Sequence, residues 1–258
     1  MNVIGIQLDI VWENKIANFE KVRSLLGAAK VEPGSLVVLP EMFATGYSKN
    51  LSAVVDDNAR PTERFLAEIA KQFGVYILAG MVAYSESEKA SNQAIVFDPQ
   101  GRELIRYNKL HPFSYENEGD YYAPGDNIVT FDWAGFTVAP FVCYDLRFPE
   151  IFRQAVRQGV TLFVIIANWP KAREMHFKTL LAARAIENQA YVIGVNRCGH
   201  TPKLTYAGHS MVIDPRGQAL IDAGETETLI QTVLNLDYLN TYRQEFPVLR
   251  DIRPEFFP

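Results

Sequence analysis

The stretch 136–170, FTVAPFVCYDLRFPEIFRQAVRQGVTLFVIIANWP, decides how the chain is built. Two apolar runs, Phe136–Cys143 and Thr161–Ala167, have the length and the β-branched and aromatic content of buried strands. Between them, Pro149–Gln158 reads as a helix. Pro149 stands where a first helical turn tolerates proline, and Gly159 punctuates the return to strand. Strand, helix and strand in so short a span are the working unit of an α/β domain.

The same reading extends outward in both directions. Val3–Asp9, Leu36–Leu39, Val75–Gly80, Gln93–Asp98, Tyr191–Asn196, Gly208–Asp214 and Leu229–Leu234 read as strands. Asn18–Ala29, Pro61–Phe73 and Arg173–Asn188 read as helices; in the last, Leu180, Leu181, Arg184, Ala185 and Asn188 recur at helical spacing. DPQG at 98–101 and DPRG at 214–217 are turn sequences with apolar strands on either side, so hairpins are mixed with βα units. The expected fold is a mixed, layered α/β domain with sheets covered by helices. No linker, low-complexity segment or fixed-period repeat divides residues 1–258, which are expected to form one domain. The tail after Asp237, ending RQEFPVLRDIRPEFFP, is too apolar for solvent and is expected to pack on its own body or on a second subunit.

With 48% apolar and 21% charged residues, general disorder is excluded. Lys plus Arg total 25 and Asp plus Glu 30, and this net charge of −5 argues against a nucleic-acid partner. The longest apolar runs are strand-sized, which argues against a membrane span. The start, MNVIGIQLDIVWENK, has no basic opening and reads as a first strand rather than a signal peptide. Cys143 and Cys198 cannot make a disulfide framework, so a reduced, cytoplasmic protein is expected. G-x-G-x-x-G, Walker, C-x-x-C and H-E-x-x-H motifs are absent, and the four histidines show no metal-ligand spacing. AGHSMV at 207–212 lacks the second glycine of a serine nucleophile elbow.

Three segments place a reactive side chain at or just past the end of an apolar strand. They are SLVVLPEMF with Glu41, ELIRYNKLHPF with Lys109, and FTVAPFVCYDLRFPE with Cys143. Ligands collect beyond strand carboxyl ends in layered α/β folds. Taken singly, Cys143 reads as a buried core thiol, Glu41 as a loop charge and Lys109 as a solvated lysine. Together they suffice for acyl transfer without metal or organic cofactor. A lysine beside the thiol is expected to lower its pKa. A glutamate in a dry pocket shuttles the proton, and the lysine with a backbone N–H faces the oxyanion.

LPEMF at 39–43, YNKLHPF at 107–113 and CYDLRFPE at 143–150 resemble, in order, the three catalytic segments of the nitrilase, or carbon–nitrogen hydrolase, superfamily. The resemblance runs from Ile4 to about Phe246. ANWP at 167–170 followed by LLAARAIENQAYVIGVNRCG at 180–199 is most similar to the omega-amidase branch, and HSMVIDPRG at 209–217 fits the family too. The resemblance implies an α-β-β-α sandwich, a Glu41–Lys109–Cys143 triad and no cofactor. It also implies a second glutamate between the Lys and Cys segments, for which Glu116 and Glu118 are candidates; Glu118, seven residues before Gly125, has the family spacing.

Further roles follow from the resemblance. Tyr144 supplies the oxyanion N–H, Tyr47 touches substrate, Arg173 clamps a substrate carboxylate, and Asp145 with Arg147 forms a charge pair holding the cysteine turn. The implied activity is hydrolysis of the terminal amide of a small dicarboxylate monoamide, with 2-oxoglutaramate the foremost candidate. Such an enzyme fits beside glutamine transaminases, including those of methionine salvage. A homodimer is implied as well. The rivals are an amidase for deaminated glutathione, a nitrile hydrolase, a cysteine acyltransferase, and a scaffold subunit with a dead site.

Overall fold

Aliphatic and aromatic runs fold into strands that assort into two six-stranded sheets in a computed structural model describing residues 1–84 and 89–256; the last two residues of the tail lie outside these. The first sheet holds β1 (Asn2–Gln7), β2 (Leu36–Val38), β3 (Tyr76–Tyr84), β4 (Ala90–Phe97) and β5 (Glu103–Asn108). The second holds β6 (Phe131–Trp133), β7 (Phe136–Val142), β8 (Leu162–Ala167) and β9 (Tyr191–Asn196). A small hairpin, β10 (Cys198–His200) and β11 (Thr205–Ala207), follows; β12 (Met211–Ile213) and β13 (Ala219–Asp222) rejoin the second sheet. The last strand, β14 (Thr228–Val233), returns to pair antiparallel with β1.

The orders are β14-β1-β2-β3-β4-β5 and β13-β12-β9-β8-β7-β6. Each sheet has a parallel trio, β1-β2-β3 or β7-β8-β9, continued by an antiparallel hairpin, β4-β5 or β12-β13. The two hairpins close on the two DP-x-G turns. In one, Asp98 Oδ1 accepts the Gln100 and Arg102 N–H groups; in the other, Asp214 Oδ1 accepts those of Arg216 and Gln218. This shared plan has no fixed sequence period because the helices and loops between equivalent strands differ in length.

Alternation along each strand sets the layers. In the first sheet, Ile4, Ile6, Val37, Leu39 and Ile77 face α1 (Lys15–Ala28) and α3 (Pro61–Phe73), where Val22, Leu26, Phe65 and Ile69 meet them. Between α1 and α3 lies the single turn α2 (Leu51–Val54). Val3, Leu36, Val38, Leu78 and Val96 face the second sheet. The outer side of that sheet is covered by α4 (Pro149–Arg157) and α5 (Glu174–Asn188), through Phe152, Phe177 and Leu181. The result is the expected α-β-β-α sandwich. No described helix is long and apolar enough to cross a membrane.

The tail opens with α6 (Leu236–Glu245), which the sequence reading leaves without structure. It contributes Leu239 to the core, and it is fastened by Arg243, whose guanidinium donates to the carbonyls of Val160, Asn188 and Gln189. Gln189 Nε2 donates in turn to the Phe246 carbonyl. Past the helix, Phe246, Val248 and Phe256 are exposed.

Candidate active site

Strand β2 ends at Val38, and residues 39–44 make a wholly buried turn that carries Glu41. The turn presses on β3 so closely that only glycine fits at position 80: a Cβ there would lie 2.4 Å from Glu41 Cα and 2.6 Å from the Met42 nitrogen. Lys109 leaves the end of β5. Its N–H donates to the Asn92 carbonyl on β4 (2.9 Å), and its own carbonyl accepts the Gly125 N–H (2.8 Å).

Its ammonium reaches Glu118 Oε1 and Oε2 at 3.0 and 2.9 Å and Glu41 Oε1 at 3.3 Å. Glu118 lies fully buried in a short 3₁₀ turn, Glu118–Asp120. Glu116, the other candidate, pairs instead with Lys49 at 3.5 Å and is only half-buried.

Cys143 follows the last residue of β7 and opens a 3₁₀ turn, Cys143–Arg147, with φ of +47°. A non-glycine residue held in this left-handed region is strained, and the surrounding bonds hold it there. Asp145 supplies most of them. Its Oδ2 accepts the Tyr107 hydroxyl (2.7 Å) and the Val142 N–H (3.0 Å), while Oδ1 accepts the His111 N–H (3.0 Å). The expected Asp145–Arg147 pair is therefore not made, because the buried Asp145 oxygens are already filled from β5, β7 and the residue-111 loop. Arg147 turns the other way, over the Trp169 ring at 4.6 Å, and its Nη2 lies 3.3 Å from His176 Nδ1. Tyr144 is the second residue of the cysteine turn, where an N–H has no acceptor within the turn.

All the nominated residues, Glu41, Tyr47, Lys109, Glu118, Cys143, Tyr144 and Arg173, border one cavity of about 640 Å³. Arg147, Asn168 and Trp169 border it too. Residues 5–244 match the family model described as Carbon-nitrogen hydrolase. The chain belongs to the carbon–nitrogen hydrolase family. It is 34% identical over 253 residues to a 2-oxoglutaramate amidase of Bacillus subtilis, covering 98% of this chain and 97% of that protein. It is 36% identical over 252 residues to the omega-amidase YafV of Yersinia enterocolitica, covering 95% and 94%. Among solved structures it is similar to XC1258 of Xanthomonas campestris, a CN-hydrolase superfamily protein, with a TM-score of 0.91, 32% identity and coverage of 98% and 97%.

In this carbon–nitrogen hydrolase the charges settle unequally. Burial pulls the Lys109 ammonium down, but the Glu41 and Glu118 carboxylates, with Cys143, outweigh it and hold Lys109 well above its ordinary value. Burial and the Glu41 charge push the Cys143 thiol well above its ordinary value, against the pull of Lys109 and the Asn168 N–H. The expectation that Lys109 would lower the thiol is thus corrected. Its effect has that sign, but burial and the nearby carboxylates outweigh it, so the net shift is upward. Burial and Glu118 also raise the Tyr47 phenol, whose hydroxyl is buried without a hydrogen-bond partner among the described residues. Cys198 is buried away from this cavity, and burial raises its thiol to about 12.

Two buried asparagines complete the carbon–nitrogen hydrolase site and were not nominated from sequence. The Asn168 N–H donates to Glu41 Oε2 at 2.8 Å and its Nδ2 to the Glu41 carbonyl at 2.7 Å. Asn92 Nδ2 donates to Glu41 Oε1 at 2.7 Å and to Glu118 Oε1 at 3.0 Å. Asn168 stands within the ANWP segment, a visible signal, whereas Asn92 has none beyond its place two residues inside a strand. Outside the cavity, Glu174, His209 and Glu225 come within metal-ligand range of one another, with a single histidine among them, and Lys171 already holds Glu225 at 2.7 Å.

Proposed function

We propose that the chain is an ω-amidase acting on a small dicarboxylate monoamide, with 2-oxoglutaramate the foremost substrate, through a Cys143 thioester. The observation that carries this reading is one cavity bordered by both a reactive cluster and two arginines. Cys143, Glu41, Glu118 and Lys109 border it as a bonded cluster, Glu116 and Lys49 border it as a separate ion pair, and Arg147 and Arg173 border it with no carboxylate within ion-pair distance among the described residues. Burial and the neighbouring Arg173 both lower the Arg147 pKa, yet a guanidinium stays protonated. Two such cations side by side favour an anion between them, and a carboxylate offers bidentate geometry. An anionic tail held there directs the far amide toward Cys143.

The steps follow from the residues. Sulfur attacks the amide carbon while its proton passes to Glu41. The oxyanion is held by Lys109 Nζ and the Tyr144 N–H. Glu41 returns the proton to nitrogen as the C–N bond breaks, ammonia leaves, and a thioester remains. Water then attacks the thioester. Glu41 takes a proton from the water and gives it to the departing sulfur, restoring S–H and releasing the dicarboxylate. Glu118 anchors Lys109 throughout. A route beside transaminases that yield 2-oxo acid amides, including methionine salvage, fits this product pair.

Ammonia release from 2-oxoglutaramate, 2-oxosuccinamate, glutamine, deaminated glutathione and a simple nitrile tests the reading. The first is expected to be fastest, with Arg147→Met raising its KM on the order of 10- to 100-fold and leaving a neutral amide such as butyramide unaffected. Faster release from deaminated glutathione or the nitrile, or an acyl group passed to an amine in preference to water, would replace it.

The proposal extends to a single-domain, cytoplasmic homodimer. Exposed Phe246, Val248 and Phe256 past α6 are apolar surface that a second subunit would cover. Sedimentation is expected at twice the 29.1 kDa chain mass; a species of one chain mass at micromolar concentration would exclude the dimer.

A further inference from the structure

Asn92 touches every charged member of the buried cluster except the thiol. Its backbone carbonyl takes the Lys109 N–H, and its side-chain amide gives one hydrogen to Glu41 Oε1 and the other to Glu118 Oε1. The residue is 1% exposed, and its Oδ1 has no partner among the described residues. An amide facing two carboxylates must present its NH₂ end to both, so the oxygen is left without a donor. A buried acceptor without a donor costs stability. That cost is consistent with a residue kept for the cluster rather than for packing.

Without Asn92, Glu41 and Glu118 would share only one ammonium. With it, the two carboxylates accept five hydrogen bonds from Lys109 and Asn92, while the Asn168 N–H holds Glu41 Oε2 and the Phe113 N–H holds Glu118 Oε2. The Asn168 N–H that grips Oε2 also faces the Cys143 sulfur. Glu41 is thereby anchored by Oε1, with Oε2 on the side of the thiol.

We propose that Asn92 is a positioning residue that holds the Glu41 and Glu118 carboxylates side by side through their Oε1 atoms, and so keeps Glu41 placed to take the Cys143 proton. The inference rests on the reading of Glu41 as the base. The other ionisable groups facing Glu41 are Lys109 past β5, Glu118 in its turn, Cys143 past β7, and the phenols Tyr47, Tyr122 and Tyr206. Of these, Lys109 alone is a cation. Loss of the Asn92 donor therefore disfavours the ionised form of the pair.

The test is the pH profile of kcat for the wild-type enzyme, Asn92→Ala, Asn92→Ser and Asn92→Asp, on whichever amide of the panel is turned over. Asn92→Ala is expected to move the acid limb upward by on the order of one to two pH units, the size of one charge-assisted hydrogen bond. Its alkaline plateau is expected within about tenfold of wild type, with KM little changed. Asn92→Ser, which keeps one donor, is expected to fall between. Asn92→Asp, which sets a third carboxylate against the pair, is expected to lose at least about 100-fold at neutral pH. Thermal unfolding identifies any variant that fails to fold, and Asn92→Ser then carries the comparison. An acid limb unmoved in the folded variants, or a loss equal at every pH, overturns the proposal. No turnover of any amide by the wild type overturns the underlying reading of Glu41 instead.

Discussion

Cys143→Ala is expected to lower ammonia release by on the order of 10⁴-fold or more, because Cys143 is the only thiol bordering the cavity among the described residues. The melting temperature should change little. The side chain borders a cavity, and the turn that holds it is fastened by Asp145 rather than by the sulfur. The chemistry of the thiol gives a second readout on the wild-type protein. Burial and Glu41 hold the pKa above its ordinary value, so the thiolate fraction is small at neutral pH and grows as pH rises toward that raised value. Alkylation of Cys143 by iodoacetamide, followed by mass spectrometry, is expected to be slow at pH 7 and to accelerate steadily into the alkaline range. A rate at pH 7 above that of a free model thiol would contradict this account. It would mean that Lys109 prevails over Glu41, and that proton transfer precedes attack instead of accompanying it.

Lys109→Met is expected to cost both fold and function. Its ammonium is the one cation bonded to Glu41 and Glu118 among the described residues, and all three groups are buried. Removing one partner of a buried ionic group leaves uncompensated charge, with a penalty of about 3–5 kcal/mol. Loss of an oxyanion donor adds a fall of about 10²- to 10³-fold in kcat. The pH dependence has a definite sign. The folded-state pKa of Lys109 lies above its ordinary 10.5, so its contribution is complete below that value and fades only as pH climbs through the raised one. The stability gap between wild type and variant, read by urea titration, should therefore be full at pH 7 and narrow only in strong alkali. A gap under about 1 kcal/mol at neutral pH would show that the cluster takes up a proton or water in place of the ammonium.

Much of this was legible in the sequence because it is written in contiguous patterns. The helix over Pro61–Phe73 falls where Pro61 and Gly74 place its ends, and Tyr191–Asn196 is a strand at the predicted bounds. Glu41, Lys109 and Cys143 each stand at a strand end, a position that motif spacing reports. The three-residue strands β6, β10 and β11 are too short to carry a period of two. Helix α6 buries only Leu239 and is held by the carbonyl contacts of Arg243, which leave no apolar stripe in the sequence. Asn92 looks like any polar residue at a strand start until Glu41 and Glu118, 51 and 26 residues away, close on it. The resemblance pairs Arg147 with Asp145. Only the fold shows that Tyr107 and His111 have already claimed that carboxylate.

The reactive centre is divided between the two leaves of the sandwich. Glu41, Lys109 and Asn92 ride on one sheet and Cys143 and Asn168 on the other, and they are joined through Asn168 to Glu41 and Tyr107 to Asp145. A growing chain that has made only β1 to β5 carries Glu41 and Lys109 without the thiol, and its first leaf still lacks β14. The proposed cluster is therefore assembled only where the two leaves meet, so it depends on the same packing that closes the hydrophobic interior.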